Sequence, residues 1–215
     1  MALQRGMLAG GDARPSTTAL PPSSLSGFEL LTDAEVMLRV KAGDDVAFDH
    51  LVEKFRRPLV GFLYRMARNH AVAEELAQEV FLRVYRSRQT YQASAKFTTW
   101  MYRIATNLAV NYARDTRGRR GEVSLDEPTE GGAAFEVADG EPTVEQDLLR
   151  QERLRAIRAQ VEALPERQRL AVVMHKYQGL DYRQIAQVMK LSESATKSLL
   201  FRAYETLRES LKEFL

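Results

Sequence analysis

Apolar side chains recur every three or four positions through most of the chain, the period of amphipathic helices. Thr32-Asp33-Ala34-Glu35 has the S/T-x-x-E form of a capping box, and Val36 and Val40 begin a stripe behind it. Gly43-Asp44-Asp45 marks a turn. A second helix carries Phe48, Leu51, Val52 and Phe55. It continues past Pro58 through Leu59, Phe62, Leu63 and Met66, with Pro58 expected at a bend or in a first helical turn. A third helix starts near His70 and runs to about Tyr85, with Leu76, Val80 and Val84 in register. Residues 88–96 (RQTYQASAK) have no period and read as a loop. After them Phe97, Trp100, Met101, Ile104, Ala105, Leu108 and Tyr112 line one side of a long helix. Arg103, Thr106, Asn107, Asn111 and Arg114 line the other.

The pattern then breaks. Glycines, Pro128 and Pro142 interrupt residues 121–149, which read as a flexible linker. From Arg150 onward four helices are expected. The first runs to Leu164 and the second starts at Pro165, with Leu170, Val173, Met174 and Tyr177 on one face and Gly179 at its end. Asp181 with Gln184 three residues on has the form of an N-cap opening a short helix that carries Ile185, Ala186 and Met189. Lys190-Leu191-Ser192 makes a turn, and a last helix from about Ser194 buries Leu200, Ala203, Leu207 and Leu211. A short helix, a tight turn and a longer helix suggest a helix-turn-helix. The fold class is therefore all-α: two helical domains, residues 30–118 and 150–215, joined by a linker at 119–149. Residues 1–29, rich in Gly, Pro, Ser and Thr, read as a disordered tail.

The overall charge of +2 hides a strong segregation. Residues 81–120 hold nine Lys and Arg against the single acid Asp115, interleaved with Tyr91, Phe97, Trp100 and Tyr102. Such a surface suits a polyanion with bases to stack. Met101, Ile104 and Leu108 fit a core; Phe97 and Trp100, at the helix start beside a polar loop, suit either a core or a base contact. Residues 121–149 reverse the balance, with nine acids and no Lys or Arg. There is no cysteine, and His50, His70 and His175 form no ligand pattern, so no metal site or cofactor is expected. Neither a membrane span nor a secretory signal is visible, which points to a cytoplasmic protein. No catalytic constellation is present, so no enzymatic activity is expected.

The string AEELAQEVFLRVYR followed by FTTWMYRIATNLAVNYAR closely resembles the second region of sigma-70 family transcription initiation factors. LPERQRLAVVMHKYQGLDYRQIAQVMKLSESATKSLLFRAYETL resembles their fourth region over its whole length. The likeness covers roughly residues 30–214 and lacks a third-region domain, as in the short extracytoplasmic-function (ECF) group. It implies core RNA polymerase and promoter DNA as partners, and ECF factors are commonly held by an anti-sigma factor. It also implies that the third helix docks on polymerase through Glu75, Gln78, Glu79, Leu82 and Arg83; from the chemistry alone that face also reads as solvated and laced by Glu79–Arg83 pairing. The loop 88–96 and the helix after it would recognise and melt the −10 element, by way of Tyr91, Gln92, Ser94, Lys96, Phe97, Trp100, Arg103, Asn107 and Arg114. Lys197, Ser198, Phe201 and Arg202 would enter the major groove of the −35 element, with Arg183 and Gln184 on phosphates.

Two features depart from the family. Leu199 and Tyr204-Glu205 stand where basic residues are frequent, and residues 192–215 balance four bases against four acids. Weaker phosphate anchoring is expected, with more of the affinity coming from tethering to polymerase. If the two elements lie more than two helical turns apart, about 70 Å, a linker that relaxes to about 30 Å must be drawn out toward its roughly 100 Å limit. The acidic linker would lie in the polymerase's basic RNA exit path, or serve as a solvated spacer, or mask the basic helix in the free chain. Two other functions remain in view. A stand-alone helix-turn-helix regulator would not need the exposed Glu75, Gln78 and Glu79, and a helical nuclease would need acids clustered on the basic helix.

Overall fold

The computed structural model describes residues 27–119 and 144–212, with side chains described over 27–116 and 148–212. The expectations for the first 26 residues, for the acidic stretch up to residue 143 and for the side chains of Arg117, Arg119 and Arg120 lie outside those residues. Among the described residues all regular structure is helical. The helices are α1 (Asp33–Lys41), α2 (Asp45–Ala67), α3 (His70–Arg86), α4 (Phe97–Arg119), α5 (Val144–Ala163), α6 (Glu166–Tyr177), α7 (Tyr182–Met189) and α8 (Glu193–Ser210), with a 3-10 turn at Arg88–Thr90 between α3 and α4.

The starts of the helices are set by short polar side chains. Thr32, Asp44, Asn69, Asp181 and Ser192 each accept a hydrogen bond from a first-turn backbone N–H, an interaction worth about 1 kcal/mol per cap. Thr32 with Glu35 and Asp181 with Gln184 form complete capping boxes. Pro58 produces no break: α2 runs through it for 23 residues. Leu51, Phe55, Leu59 and Phe62, on both sides of Pro58, are all anchored in the core, while Pro58 itself is exposed. That anchorage outweighs the backbone hydrogen bond a helical proline forfeits.

α1 to α4 enclose the first core, in which Met37, Leu51, Leu59, Phe62, Val80, Val84 and Met101 are fully or nearly buried. Phe28 joins it, buried against the His50 ring at 5.1 Å with Arg39 over its face. The segment expected to be a tail through residue 29 therefore gives way to core at Phe28, whose ring leaves water for the pocket beside His50. Leu30, just after it, is 97% exposed. The C-terminal unit packs α6, α7 and α8 around Val173, Met174, Ile185 and Leu200, and α5 lies on α6 and α8 through Val161 and Leu164. α5 begins at Val144, six residues ahead of the expected start, since the helix breakers end at Pro142. The two units are not separate bodies: α4 packs on α7 and α2 on α6.

Candidate nucleic-acid and docking interfaces

The loop before α4 is built on a buried aromatic floor. Tyr91 is 1% exposed, with its ring 5.1 Å from Trp100 and 6.4 Å from Phe97. Phe97 is equally buried and meets Phe55 at 5.4 Å. As base contacts, Tyr91 and Phe97 are corrected by this arrangement: both rings serve the core, and Trp100 alone of the three stays half-exposed. Burial, and then Asp33, push the Tyr91 phenol above its ordinary pKa, and its Oη has no hydrogen-bond partner among the described residues.

Gln92, Ser94 and Lys96 stand exposed on the loop above that floor. Lys41, the last residue of α1, donates its Nζ to the Tyr91 carbonyl at 2.9 Å, and Gln89 Nε2 donates to the Lys41 carbonyl at 2.9 Å. Two reciprocal hydrogen bonds therefore fix the loop to α1. Along α4 the exposed residues Arg103, Asn107, Asn111 and Arg114 form one polar stripe at helical spacing. Thr106, expected on that stripe, is instead buried with its Oγ1 unpartnered.

On α3, Glu75, Gln78 and Arg83 are exposed, Glu79 is half-buried and Leu82 is 49% exposed. Glu79 accepts from Arg83 Nε at 2.7 Å, an i,i+4 pair that orients both side chains on one face. Charged and amide groups ringing one exposed leucine make a face able to seat another protein, an apolar centre with a polar rim.

The helix-turn-helix consists of α7, a turn through the left-handed residue Lys190 (φ 54°), and α8. Its outer surface exposes Lys197, Ser198, Phe201 and Arg202, with Phe201 66% exposed. Lys197 pairs with Glu193 at 3.1 Å, and Arg202 Nε donates to the Ser198 carbonyl at 3.3 Å. A phenyl ring on such a face has the chemistry to meet a thymine methyl. Arg183 is exposed at the start of α7, but Gln184 is 9% exposed. Gln184 as a phosphate contact is corrected here: its Oε1 accepts from the Asp181 N–H, and its Nε2 donates to Thr99 Oγ1 of α4.

Most of the residues nominated by sequence lie exposed on α3, on the loop and α4, and on α7 and α8, whereas Tyr91, Phe97 and Gln184 are buried. The structure adds Lys41, Gln89 and Thr99, which sequence reasoning missed. Lys41 lies 50 residues from Tyr91 and Thr99 lies 85 from Gln184, separations at which no local period operates. Among the described residues no cluster of three His, Cys, Asp or Glu could hold a metal ion, and no helix is long and apolar enough to cross a membrane.

Comparison with known proteins agrees with this geometry. Residues 51–119 match the family model for sigma-70 region 2 and residues 154–207 the one for sigma-70 region 4. The RNA polymerase sigma-H factor of Pseudomonas aeruginosa is 34% identical over 187 residues, 85% of this chain and 95% of that one. The ECF RNA polymerase sigma-E factor of Escherichia coli K12 is 32% identical over 192 residues, 87% and 98%. The fold is shared with CnrH in complex with the cytosolic domain of CnrY, at TM-score 0.61 and 18% identity over 84% of this chain and 97% of that one. It is also shared with the sigma factor RpoE in complex with the anti-sigma factor NepR from Bartonella quintana, at TM-score 0.58 and 20% identity over 77% and 96%. With both regions present in order, and curated relatives matched nearly end to end, the chain belongs to the sigma-70 family, in its extracytoplasmic-function group of RNA polymerase sigma factors.

Proposed function

We propose that this chain acts in the cytoplasm by seating on core RNA polymerase and directing it to promoters read at two places. Residues 30–118 form the polymerase-docking and −10 unit, 150–215 the −35 unit, and 119–149 the acidic connection between them. Glu75, Gln78, Glu79, Leu82 and Arg83 face polymerase. Gln92, Ser94, Lys96 and the open side of Trp100 receive a base drawn from the −10 duplex, with Arg103, Asn107 and Arg114 along the strand. Lys197, Ser198, Phe201 and Arg202 read the −35 major groove, with Arg183 on phosphate. The polymerase makes the phosphodiester bonds, and no group of this chain enters that chemistry. An anti-sigma factor is the natural antagonist of such a protein.

The observation that carries this reading is the pairing of an exposed, half-cationic α8 face around Phe201 with the exposed polar stripe of α4 in one chain. Two DNA-facing helices in separate units match two promoter elements. Unstacking a base costs a few kcal/mol, and stacking on an aromatic returns about 1–3 kcal/mol. With Tyr91 and Phe97 buried, Trp100 is the ring placed to provide it, and the loop amides and hydroxyls supply the remainder.

Transcription with purified core polymerase tests the assignment. Promoter-specific transcripts are expected, and Glu79→Arg should reduce both polymerase association and transcript yield by tenfold or more, about 1.4 kcal/mol. Failure of the chain to associate with core polymerase overturns the proposal. Promoter-specific regulation without polymerase, or DNA cleavage, would replace it with a stand-alone regulator or a nuclease.

A further inference from the structure

A groove of about 900 Å³ runs between the start of α7 and the outer side of α8. That volume is of the size that takes one small molecule. Leu200, 1% exposed, closes its floor, and Tyr182, Phe201 and Tyr204 supply aromatic sides. Two of those rings are held from behind by one side chain of α6. His175 stacks on Tyr182, with centroids 5.2 Å apart and planes 13° from parallel, and its Nδ1 lies 2.7 Å from the Tyr204 hydroxyl. Rings fixed in advance spare a ligand the cost of ordering them.

The charge of the groove is cationic and lightly held. Lys197, Arg202 and Arg208 line it against a single acid, Glu205. Lys197 reaches Glu193 at 3.1 Å and Arg208 meets Glu205, both in pairs open to water. Exposed pairs of this kind contribute little and yield to a stronger anion. Arg202 commits its Nε to the Ser198 carbonyl at 3.3 Å, and its terminal nitrogens have no partner among the described residues. Rings and cations also alternate along α8 at one-turn spacing, Lys197 with Phe201 and Tyr204 with Arg208. An aromatic group laid on the rings therefore has cations within one helical turn for an attached anion. A phosphate, with its charge and three acceptor oxygens, is well matched to guanidinium groups left free or weakly paired.

We propose that this groove binds a nucleoside polyphosphate, its base against Tyr182 and Tyr204 and its phosphates on Arg202 and Arg208, and that the bound nucleotide keeps −35 DNA off α8. Stacking on protein rings accepts any base, so the phosphates and the groove, more than the base, set the ligand class. The competition rests on the −35 reading proposed above, because Lys197, Phe201 and Arg202 would serve both ligands. Binding of the nucleotide itself does not depend on that reading.

Equilibrium dialysis of the full-length chain against ATP, with neither polymerase nor DNA present, tests the site. One ATP per chain is expected, with adenosine and tripolyphosphate each binding about tenfold more weakly, since each lacks one half of the match. Arg208→Gln, at a side chain 68% exposed, should weaken ATP about fivefold without disturbing the fold, and Tyr182→Ala should do likewise. Absence of ATP binding, tripolyphosphate binding as well as ATP, or ATP binding unmoved by both variants overturns the proposal. Footprinting of the polymerase complex on a promoter fragment then tests the competition. ATP should reduce protection of the −35 element, and Arg208→Gln should abolish that reduction; full protection at saturating ATP overturns the competition. A chain that binds ATP as expected but leaves no promoter footprint with polymerase sinks the two-element reading and supports the nucleotide site, so the two failures are told apart.

Discussion

Lys41 ends α1 and donates its ammonium to a carbonyl 50 residues away, at Tyr91, within the loop proposed to receive a base. A hydrogen bond from a charged donor contributes about 1.5–3 kcal/mol, enough to hold a short loop in one shape. The contacts of Lys41 are with loop backbone and with Gln89, so any part it plays in the proposed −10 reading is one of positioning. Lys41→Met is therefore expected to slow promoter opening about tenfold, read by 2-aminopurine fluorescence in the −10 element. Closed-complex affinity should stay within about twofold, and Lys41→Arg should restore opening. Equal opening rates for Met and wild type would remove Lys41 from the mechanism. At this scale the sequence is legible where a local rule operates, as in the capping boxes at Thr32 and Asp181. It is illegible where two residues meet only through the fold. Tyr91 and Phe97 illustrate the limit: aromatics near a polar loop suit a base or a core equally, and only the position of Phe55 behind them decides.

Between elements, the contact of α6 with α8 passes through a histidine. His175 Nδ1 lies 2.7 Å from the Tyr204 hydroxyl, and its ring stacks on Tyr182 of α7 at 5.2 Å, 13° from parallel. Burial first, and Lys176 second, hold the imidazole below its ordinary pKa of 6.5. Burial, followed by Tyr182, pushes the Tyr204 phenol up to about 12, so at neutral pH a protonated phenol and a neutral imidazole share this hydrogen bond. Because the unfolded histidine takes its proton at higher pH than the folded one, the unfolded state binds more protons as pH falls below 6.5. Stability contributed here is complete above 6.5 and declines as pH falls toward the folded value. Thermal melting of the C-terminal helices should thus drop between pH 7.5 and 5.5, and His175→Gln should flatten that dependence. A His175 resonance titrating above 6.5 would contradict it. Helix order and type were readable from the apolar period, and the boundaries that moved have local causes. Pro58 is carried through by buried neighbours on both sides, and α5 starts at Val144, where the breakers stop.

For the whole molecule, segregation of charge and the two-unit division stood open in the sequence, but the docking of one unit on the other did not. The docking rests on Thr99 with Gln184 and Tyr102 with Gln178, uncharged pairs 85 and 76 residues apart that leave no trace in composition or period. Its chemistry separates it from the other way such a chain could close, by laying the nine acids of residues 121–149 over the basic face of α4. An electrostatic cover weakens as salt shortens the screening length from about 10 Å at 0.1 M to about 3 Å at 1 M. Neutral hydrogen bonds and a ring under Arg65 are far less sensitive, and the exposed Arg68–Glu162 pair at 3.9 Å contributes little at any salt. Energy transfer between dyes at Glu53→Cys and Glu209→Cys in the free protein should therefore hold steady from 0.1 to about 1 M sodium chloride. A marked fall in transfer with salt would assign closure to the charges, because only a cover held by opposite charge loosens when screening alone is changed.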